Sequence, residues 1–300
     1  MTYGVIDVGS NTIRLCIYEL ENNQIRPLFN NKTTAGLVGY VTDGELSRKG
    51  IKKACDVLSE YKEMAAQAQI KDLFVFATAS LRNISNTDEA LQTIHEETQL
   101  NVDVLSGYEE ATLDFRGAAG TLNLDEGLMV DIGGGSTELV VYRKENVQDA
   151  ASLRLGSLSL YNDYVSKLFP KKSEEGAIRE KVLSELKKIK FLREQQFSNL
   201  VGIGGTIRAV KKLNNDLFGL PRQNDEIPAK KVPILLEEFQ DEEKHTLKKL
   251  LRVSPDRIHT LIPGMLILDT ICRHFCCERI IVSSYGVREG YLYKKAVLEK

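Results

Sequence analysis

The chain begins with an apolar run at residues 3–7, breaks at Gly9-Ser10-Asn11 and resumes as an alternating segment over residues 13–20. Apolar–polar alternation is the period of a half-buried strand, and glycine beside small polar residues is turn chemistry. A third strand is predicted over residues 24–34. The period then lengthens. Behind Ser47, a good helix N-cap, Ile51, Ala54, Val57 or Leu58, Tyr61 and Ala65 recur on one helical face. A buried strand at 73–77 leads into a polar loop at 78–86, a helix from Asp88 and a strand at 102–105. Ser106 then caps a helix whose first turn holds Glu109 and Glu110, acids that suit the positive end of a helix dipole.

From Gly127 the pattern starts again. Strands are predicted at 128–131, 138–142 and 147–155, with Gly133-Gly134-Gly135 turning the first into the second. Helices follow at 158–168 and 174–195. A strand at 200–203 runs through Gly204-Gly205-Thr206 into another helix. Residues 214–228 read as loop, 237–251 as a charged helix and 263–277 as an apolar helix. The chain finishes with a strand at 279–283, a turn at Ser284-Tyr285-Gly286 and a helix from Val287.

The restart is an internal duplication. Asp7-Val8-Gly9-Ser10-Asn11-Thr12-Ile13-Arg14-Leu15 aligns with Asp131-Ile132-Gly133-Gly134-Gly135-Ser136-Thr137-Glu138-Leu139. Each copy is a strand ending in Asp, a turn of small residues and a returning strand. Glycines let backbone amides approach an anion, and Ser/Thr hydroxyls add donors, so the paired turns are candidate phosphate cradles. A pair of ordinary hairpin turns is the competing explanation, and the aligned aspartates weigh against it. The turns are not a Walker loop, because no G-x-x-x-x-G-K-S/T occurs, nor a dinucleotide fingerprint, because the glycines lead into strands.

Composition narrows the classes. Across 300 residues, 42% are hydrophobic and 27% charged, enough for about two ordinary cores. Lys+Arg 40 against Asp+Glu 42 leaves a net charge of −2, so no general positive field exists for a nucleic acid polymer or an anionic membrane. No apolar stretch nears the roughly 18 residues of a membrane span, and Asp7 interrupts any signal-like core at the N-terminus. Five cysteines without a secretory signal are expected to be reduced thiols in a cytoplasm. Cys272, Cys276 and Cys277 crowd one segment. They read as core thiols, with Cys272 and Cys276 stacked one helical turn apart, because no second ligand cluster exists to complete a zinc site.

Six stretches carry a resemblance: Asp7–Arg14, Ala77-Thr-Ala-Ser-Leu-Arg82-Asn83, Ser106-Gly-Tyr-Glu-Glu-Ala111, Asp131–Glu138, Gly202-Ile-Gly-Gly-Thr206 and Tyr285-Gly-Val-Arg-Glu-Gly290. In this order, spanning the chain, they resemble the exopolyphosphatase/guanosine pentaphosphate phosphatase family of the actin, sugar kinase and Hsp70-like superfamily. The resemblance implies an α/β protein of two ribonuclease H-like domains with an interdomain cleft. The first domain is expected at 1–122 with the last helix, about 287–300, packed back on it, and the second at 123–286. The implied activity is removal of the terminal phosphate of polyphosphate or guanosine pentaphosphate. A catalytically weak sensor of guanosine tetraphosphate or polyphosphate, or an actin-like ATPase or kinase, is the alternative.

Such chemistry needs a base, charge neutralisation and a positioned water. The residues alone leave Glu109 and Glu110 open as base or as helix-dipole acids, and the resemblance selects Glu110. Asp7, Asp131 and Glu138 supply the carboxylates expected to hold Mg²⁺, with Mn²⁺ as the alternative, and Glu138 is also placed in the catalytic set. Asp131 could equally cap its own turn. Arg14 and Arg82 are candidate phosphate clamps. The expected phosphate-binding set adds Ser10, Asn11, Thr12, Gly133, Gly134, Gly135, Ser136, Thr137, Gly205 and Thr206. Two departures from the family pattern stand out: Ser159 replaces a frequent Arg, and Ile258-His259 replaces Ala-Asp. Longer relatives carry C-terminal helical domains, which this chain is expected to lack, with weak processivity on long chains as the consequence. A homodimer is the expected assembly.

Overall fold

The computed structural model describes residues 1–120, 122, 125–144, 146–239 and 243–299. The chain divides into two compact units, Met1–Leu113 with Val287–Lys300, and Asp114–Gly286. The sequence predicts the division at 122–123. Residue 123 lies outside the described residues, and the observed division falls inside a helix, where composition shows no break.

The first unit runs β1 (Thr2–Val8), β2 (Thr12–Glu21), β3 (Gln24–Thr34), a small hairpin of β4 (Val41–Thr42) and β5 (Glu45–Leu46), α1 (Arg48–Gln67), β6 (Asp72–Ala77), α2 (Ala79–Arg82), α3 (Thr87–Thr98), β7 (Asp103–Val104) and α4 (Gly107–Ala119). Its main sheet has the order β3-β2-β1-β6-β7. The first three strands are antiparallel, and β6 and β7 continue parallel to β1. Ser47 caps α1 as its sequence position predicts, its Oγ accepting the Gly50 amide at 3.3 Å.

Strand parity divides the core. Ile6, Val8, Ile13 and Leu15 join the residues of α1 and α3 on one face. Tyr3, Val5, Cys16 and Tyr18 join Leu113, Tyr291 and Leu292 on the other. Asp7 and Arg14, directly opposite each other in the β1–β2 register, have this second parity. They therefore share the face covered by the C-terminal helix Val287–Tyr293. That helix comes very close to α4, because a Cβ on Gly290 would lie 1.9 Å from the Leu113 carbonyl oxygen. Backbone cannot yield as a flexible side chain can, so Gly290→Ala is expected to lose about 1–3 kcal/mol, read as a lower urea midpoint.

The second unit contains β8 (Glu126–Ile132), β9 (Thr137–Arg143), β10 (Asn146–Leu153), α5 (Ser157–Tyr164), α6 (Lys172–Leu186), β11 (Asn199–Ile203), α7 (Gly204–Leu217), β12 (Glu226–Pro228), α8 (Val232–Glu237), α9 (Glu243–Val253), α10 (Leu261–His274) and β13 (Arg279–Val282). Its sheet order is β10-β9-β8-β11-β13-β12. The first five positions repeat the first unit: three antiparallel strands, then two parallel to the first of them. The ribonuclease H-like pattern occurs twice, with β12 added at the second sheet's edge. Helix α10 is buried from Leu261 through Cys272, as an apolar helix without a polar stripe must be.

Four local expectations change. The loop expected at 78–86 contains α2, whose turn closes when the Leu81 and Arg82 amides donate to Thr78 O at 3.2 and 3.0 Å. The helix expected at 174–195 stops at Leu186, because its buried residues Ile178, Val182 and Leu186 end there. Helix α7 runs on to Leu217 through the buried Asn214 and Asn215, and Asn215 Nδ2 donates to the Pro221 and Asn224 carbonyls. Of the charged helix expected at 237–251, residues 240–242 lie outside the described residues and α9 begins at Glu243. Among the described residues no helix is long and apolar enough to cross a membrane.

Candidate active site

The two duplicated turns are built alike. The Gly9 amide donates to Thr12 O at 3.0 Å, and the Gly133 amide donates to Ser136 O at 3.0 Å. The segment after the third strand then binds the turn's carbonyls in each unit. Val38 N and Gly36 N reach Ser10 O and Asn11 O at 3.1 and 2.9 Å. In the second unit Ser157 N reaches Gly133 O at 2.9 Å, and Leu158 N and Ser159 N reach Gly134 O at 2.9 and 3.0 Å. With these carbonyls engaged, the groups each turn can present to an anion are amides and hydroxyls. Gly156 is needed for this stacking, since a Cβ there would lie 2.5 Å from the Gly134 carbonyl. Ser159, the departure noted in the sequence, caps α5: its Oγ accepts the Gly156 amide at 2.9 Å and donates to Gly156 O at 3.2 Å.

In the first unit, α2 ends at Arg82, whose Nη1 donates to Glu110 Oε2 at 2.5 Å and to Leu105 O at 3.1 Å. Both side chains are largely buried. The two neighbouring glutamates thus have different surroundings. Glu109 belongs to a capping box in which its carboxylate accepts the Ser106 amide at 3.0 Å and hydroxyl at 2.9 Å, and Ser106 Oγ accepts the Glu109 amide at 3.2 Å. Bonding to Ser106, the backbone amide foremost, and the nearby Lys294 hold the Glu109 carboxyl below its ordinary value. Its stabilising effect is therefore complete above the ordinary glutamate range and disappears as pH falls through the lowered folded value. Ser106→Ala is expected to destabilise the protein by about 1 kcal/mol near neutral pH, with the difference shrinking in acid, as urea unfolding at several pH values would show.

Asp7 has two arginine neighbours. Burial raises its carboxyl above the ordinary range, opposed first by Arg288 and then by Arg14. Arg14 also donates to Asn30 Oδ1 at 3.2 Å. Burial disfavours the Arg288 cation, yet Glu289, Cys16, Tyr18 and Asp7 together hold its proton more tightly than usual. Glu289 in turn accepts the Tyr18 hydroxyl at 2.6 Å. Arg288 is not among the residues that the sequence singles out, although it lies in the Tyr285–Gly290 motif. Strand parity and the returning helix bring it to Asp7.

In the second unit Asp131 lies directly opposite Glu138 across β8 and β9. Their counterparts in the first unit are Asp7 and Arg14, so duplication pairs an acid with a base once and with a second acid once. Glu138 is buried and accepts the Ser152 hydroxyl at 2.7 Å. Gly204, at φ +88°, opens α7 beside Asp131: a Cβ there would sit 2.1 Å from Asp131 Oδ1. A Cβ on Gly205 would lie 1.7 Å from Arg257 Nη2. Arg257, in the short turn Pro255–Arg257, is a second cation that the sequence does not single out, three residues before Thr260 and one before Ile258-His259. His259 itself lies against Tyr161, ring centroids 4.9 Å apart. Thr137 is fully buried and donates to Leu155 O at 2.9 Å, which ties it to the strand end. Thr206 is also fully buried, packed under Gly264 of α10.

A divalent cation with hard oxygen preferences suits Asp131 and Glu138, two carboxylates on one face of adjacent strands. Asp7, with arginines on two sides, suits such an ion less well. Among the described residues no group of three or more His, Cys, Asp or Glu side chains stands ready to enclose a metal. That donor supply suits a hard divalent cation that keeps waters and phosphate oxygens among its ligands.

The profile of the Ppx/GppA phosphatase family matches residues 16–299. Exopolyphosphatase 1 of Mycobacterium leprae (strain TN) is 24% identical over 98% of this chain and 89% of its own. A solved Ppx/GppA family member from Aquifex aeolicus, 24% identical, covers 100% of this chain and 99% of that one with a TM-score of 0.81. A solved exopolyphosphatase from Cytophaga hutchinsonii, 22% identical, covers 98% and 97% with a TM-score of 0.85. These structures share the fold of two α/β domains.

Proposed function

Because the chain belongs to the Ppx/GppA phosphatase family, we propose that it is an exopolyphosphatase-type hydrolase that removes the terminal phosphate of polyphosphate, with guanosine pentaphosphate as a second substrate. The name of the mycobacterial relative supports polyphosphate as the substrate. The observation that carries the reading is the repeated turn, with the same internal hydrogen bond from Gly9 and from Gly133 and, in each unit, two turn carbonyls engaged by the segment after the third strand. An amide-lined turn selects anions without selecting a base or a sugar, which is what a chain of identical phosphates requires.

Each unit contributes identifiable chemistry. In the first, Glu110 accepts the proton of the attacking water, and Arg82 keeps that carboxylate ionised and aimed through a short charge-assisted bond. Ser10, Asn11 and Thr12 offer donors to phosphate oxygens. In the second, the amides of Gly134 and Gly135 with the Ser136 hydroxyl do the same, and Arg257 on Gly205 adds a guanidinium. Asp131 and Glu138 would hold Mg²⁺, which when bound offsets charge on the phosphate oxygens. All five cysteines are free thiols, which suits work in a reducing cytoplasm.

The test is phosphate release from polyphosphates of defined length, guanosine pentaphosphate and ATP, each with Mg²⁺, Mn²⁺ or chelator. The reading expects orthophosphate as the product, chains shortened one unit at a time and little release from ATP. Tight polyphosphate binding without release under either metal would replace the enzyme with a sensor.

A further inference from the structure

Helix α10 ends in a hydrogen-bond pattern that the spacing of its cysteines does not reveal. His274 is its last residue, and Cys276 adopts φ +55°. The Cys277 amide donates to Cys272 O at 2.9 Å and the Cys276 amide to Arg273 O at 3.4 Å. This is a Schellman stop, a left-handed residue after the cap that folds the chain back across the last turn. The side chains brought together in such a stop belong to the carbonyl and amide residues of the longer bond, usually an apolar pair. Here they are Cys272 and Cys277. The expected stacking of Cys272 on Cys276 does not occur, because the helix has ended before Cys276.

The 2.9 Å bond limits the separation of the two Cα atoms. Standard backbone lengths give an upper bound of about 6.8 Å, the outer edge of the range that a disulfide spans. Cys272 is buried, Cys277 is half-buried and Cys276 is exposed. We propose that Cys272 and Cys277 form a reactive dithiol that a hydroperoxide converts to a disulfide.

The steps balance as follows. The Cys277 sulfur attacks the peroxide, the O–O bond breaks, and Cys277 becomes a sulfenic acid while the departing oxygen takes a proton. The Cys272 sulfur then attacks the sulfenic sulfur, the S–O bond breaks, and hydroxide leaves as water with the Cys272 proton. Two electrons pass from the thiols to the peroxide, which for hydrogen peroxide yields two waters. The microenvironments assign these roles. A hydrogen bond from Cys272 holds the Cys277 thiol below its ordinary value, while the same bond and burial push Cys272 up. Elsewhere, burial raises Cys16 and pushes Cys55 up to about 11, so both are poor nucleophiles.

Trypsin makes the test direct. Cleavage after Arg273 and Arg279 places Cys272 on one peptide and Cys276 with Cys277 on another. After hydrogen peroxide treatment, alkylation of remaining thiols and digestion, mass spectrometry should find the two peptides joined with two hydrogens lost. The link should persist in Cys276→Ser, vanish in Cys277→Ser and Cys272→Ser, and open with dithiothreitol. A wild-type protein without the linked pair overturns the proposal, as does a link that survives Cys277→Ser but not Cys276→Ser. The comparison of wild type with Cys276→Ser leaves both proposed thiols in place, so it stands even where the other variants fold poorly. None of these readouts depends on phosphatase activity.

Discussion

Glu110→Gln is expected to lower kcat for phosphate release by about 10²–10⁴-fold, the usual contribution of a positioned general base. Glutamine has nearly the same shape and keeps an oxygen for Arg82 Nη1, which lies 2.5 Å from Glu110 Oε2. What it loses is the capacity to take a proton. The substrate Kd, measured by calorimetry, should therefore change far less than kcat. Glu109→Gln is the companion. Its carboxylate is occupied in the Ser106 cap, so its effect should fall on stability and leave kcat nearly unchanged. A Glu110→Gln enzyme retaining most of its turnover would move the base elsewhere, and a collapse of both Kd and thermal midpoint would show a structural ion pair instead.

Gly204→Ala carries the second large expected effect. Its φ of +88° disfavours any side chain, and its Cβ would sit 2.1 Å from Asp131 Oδ1. The backbone strain alone costs about 1–3 kcal/mol. Relieving the contact must shift either the start of α7 or the Asp131 carboxylate, and displacement of a positioned group by ~1 Å can cost about 100-fold in rate. Gly219→Ala separates the two contributions. Gly219 has φ +61° and nothing within 4 Å of its would-be Cβ, so it samples a left-handed position without a neighbour. Both variants should lower the urea midpoint, but only Gly204→Ala should depress phosphate release at saturating substrate. Equal activity in the two variants would show that turnover does not depend on the contact between Gly204 and Asp131.

The variants differ in how visible their targets were beforehand. Glu110 stands in a motif, but its neighbour Glu109 stands there too, and helix-dipole chemistry accounts for either. The capping box separates them, because the Ser106 hydroxyl and the Glu109 carboxylate bond each other while the Glu110 carboxylate bonds Arg82. Arg82 falls in a predicted loop, yet one turn of helix aims its guanidinium at Glu110. That turn is too short to leave a hydrophobic period. Arg257 has no local signal, and Arg288 stands in the Tyr285–Gly290 motif with nothing nearby in sequence to mark its partner. Each becomes noticeable only because a distant segment returns, Arg257 against Gly205 and Arg288 against Asp7.

What the sequence determined by itself is the repeated architecture and its turns. Strand alternation, the Ser47 and Ser106 caps and the aligned Asp7 and Asp131 turns are local properties, encoded within a few residues by backbone sterics and apolar period. Tertiary structure decided which side chains share a surface. The same cross-strand position holds Arg14 opposite Asp7 and Glu138 opposite Asp131, and the burial and neighbouring charges that give those pairs different chemistry come from segments far away in the chain. The cysteines illustrate the same division. Their spacing suggested Cys272 beside Cys276, but the helix stops at His274, and the bond closing that stop sets Cys277 in its place.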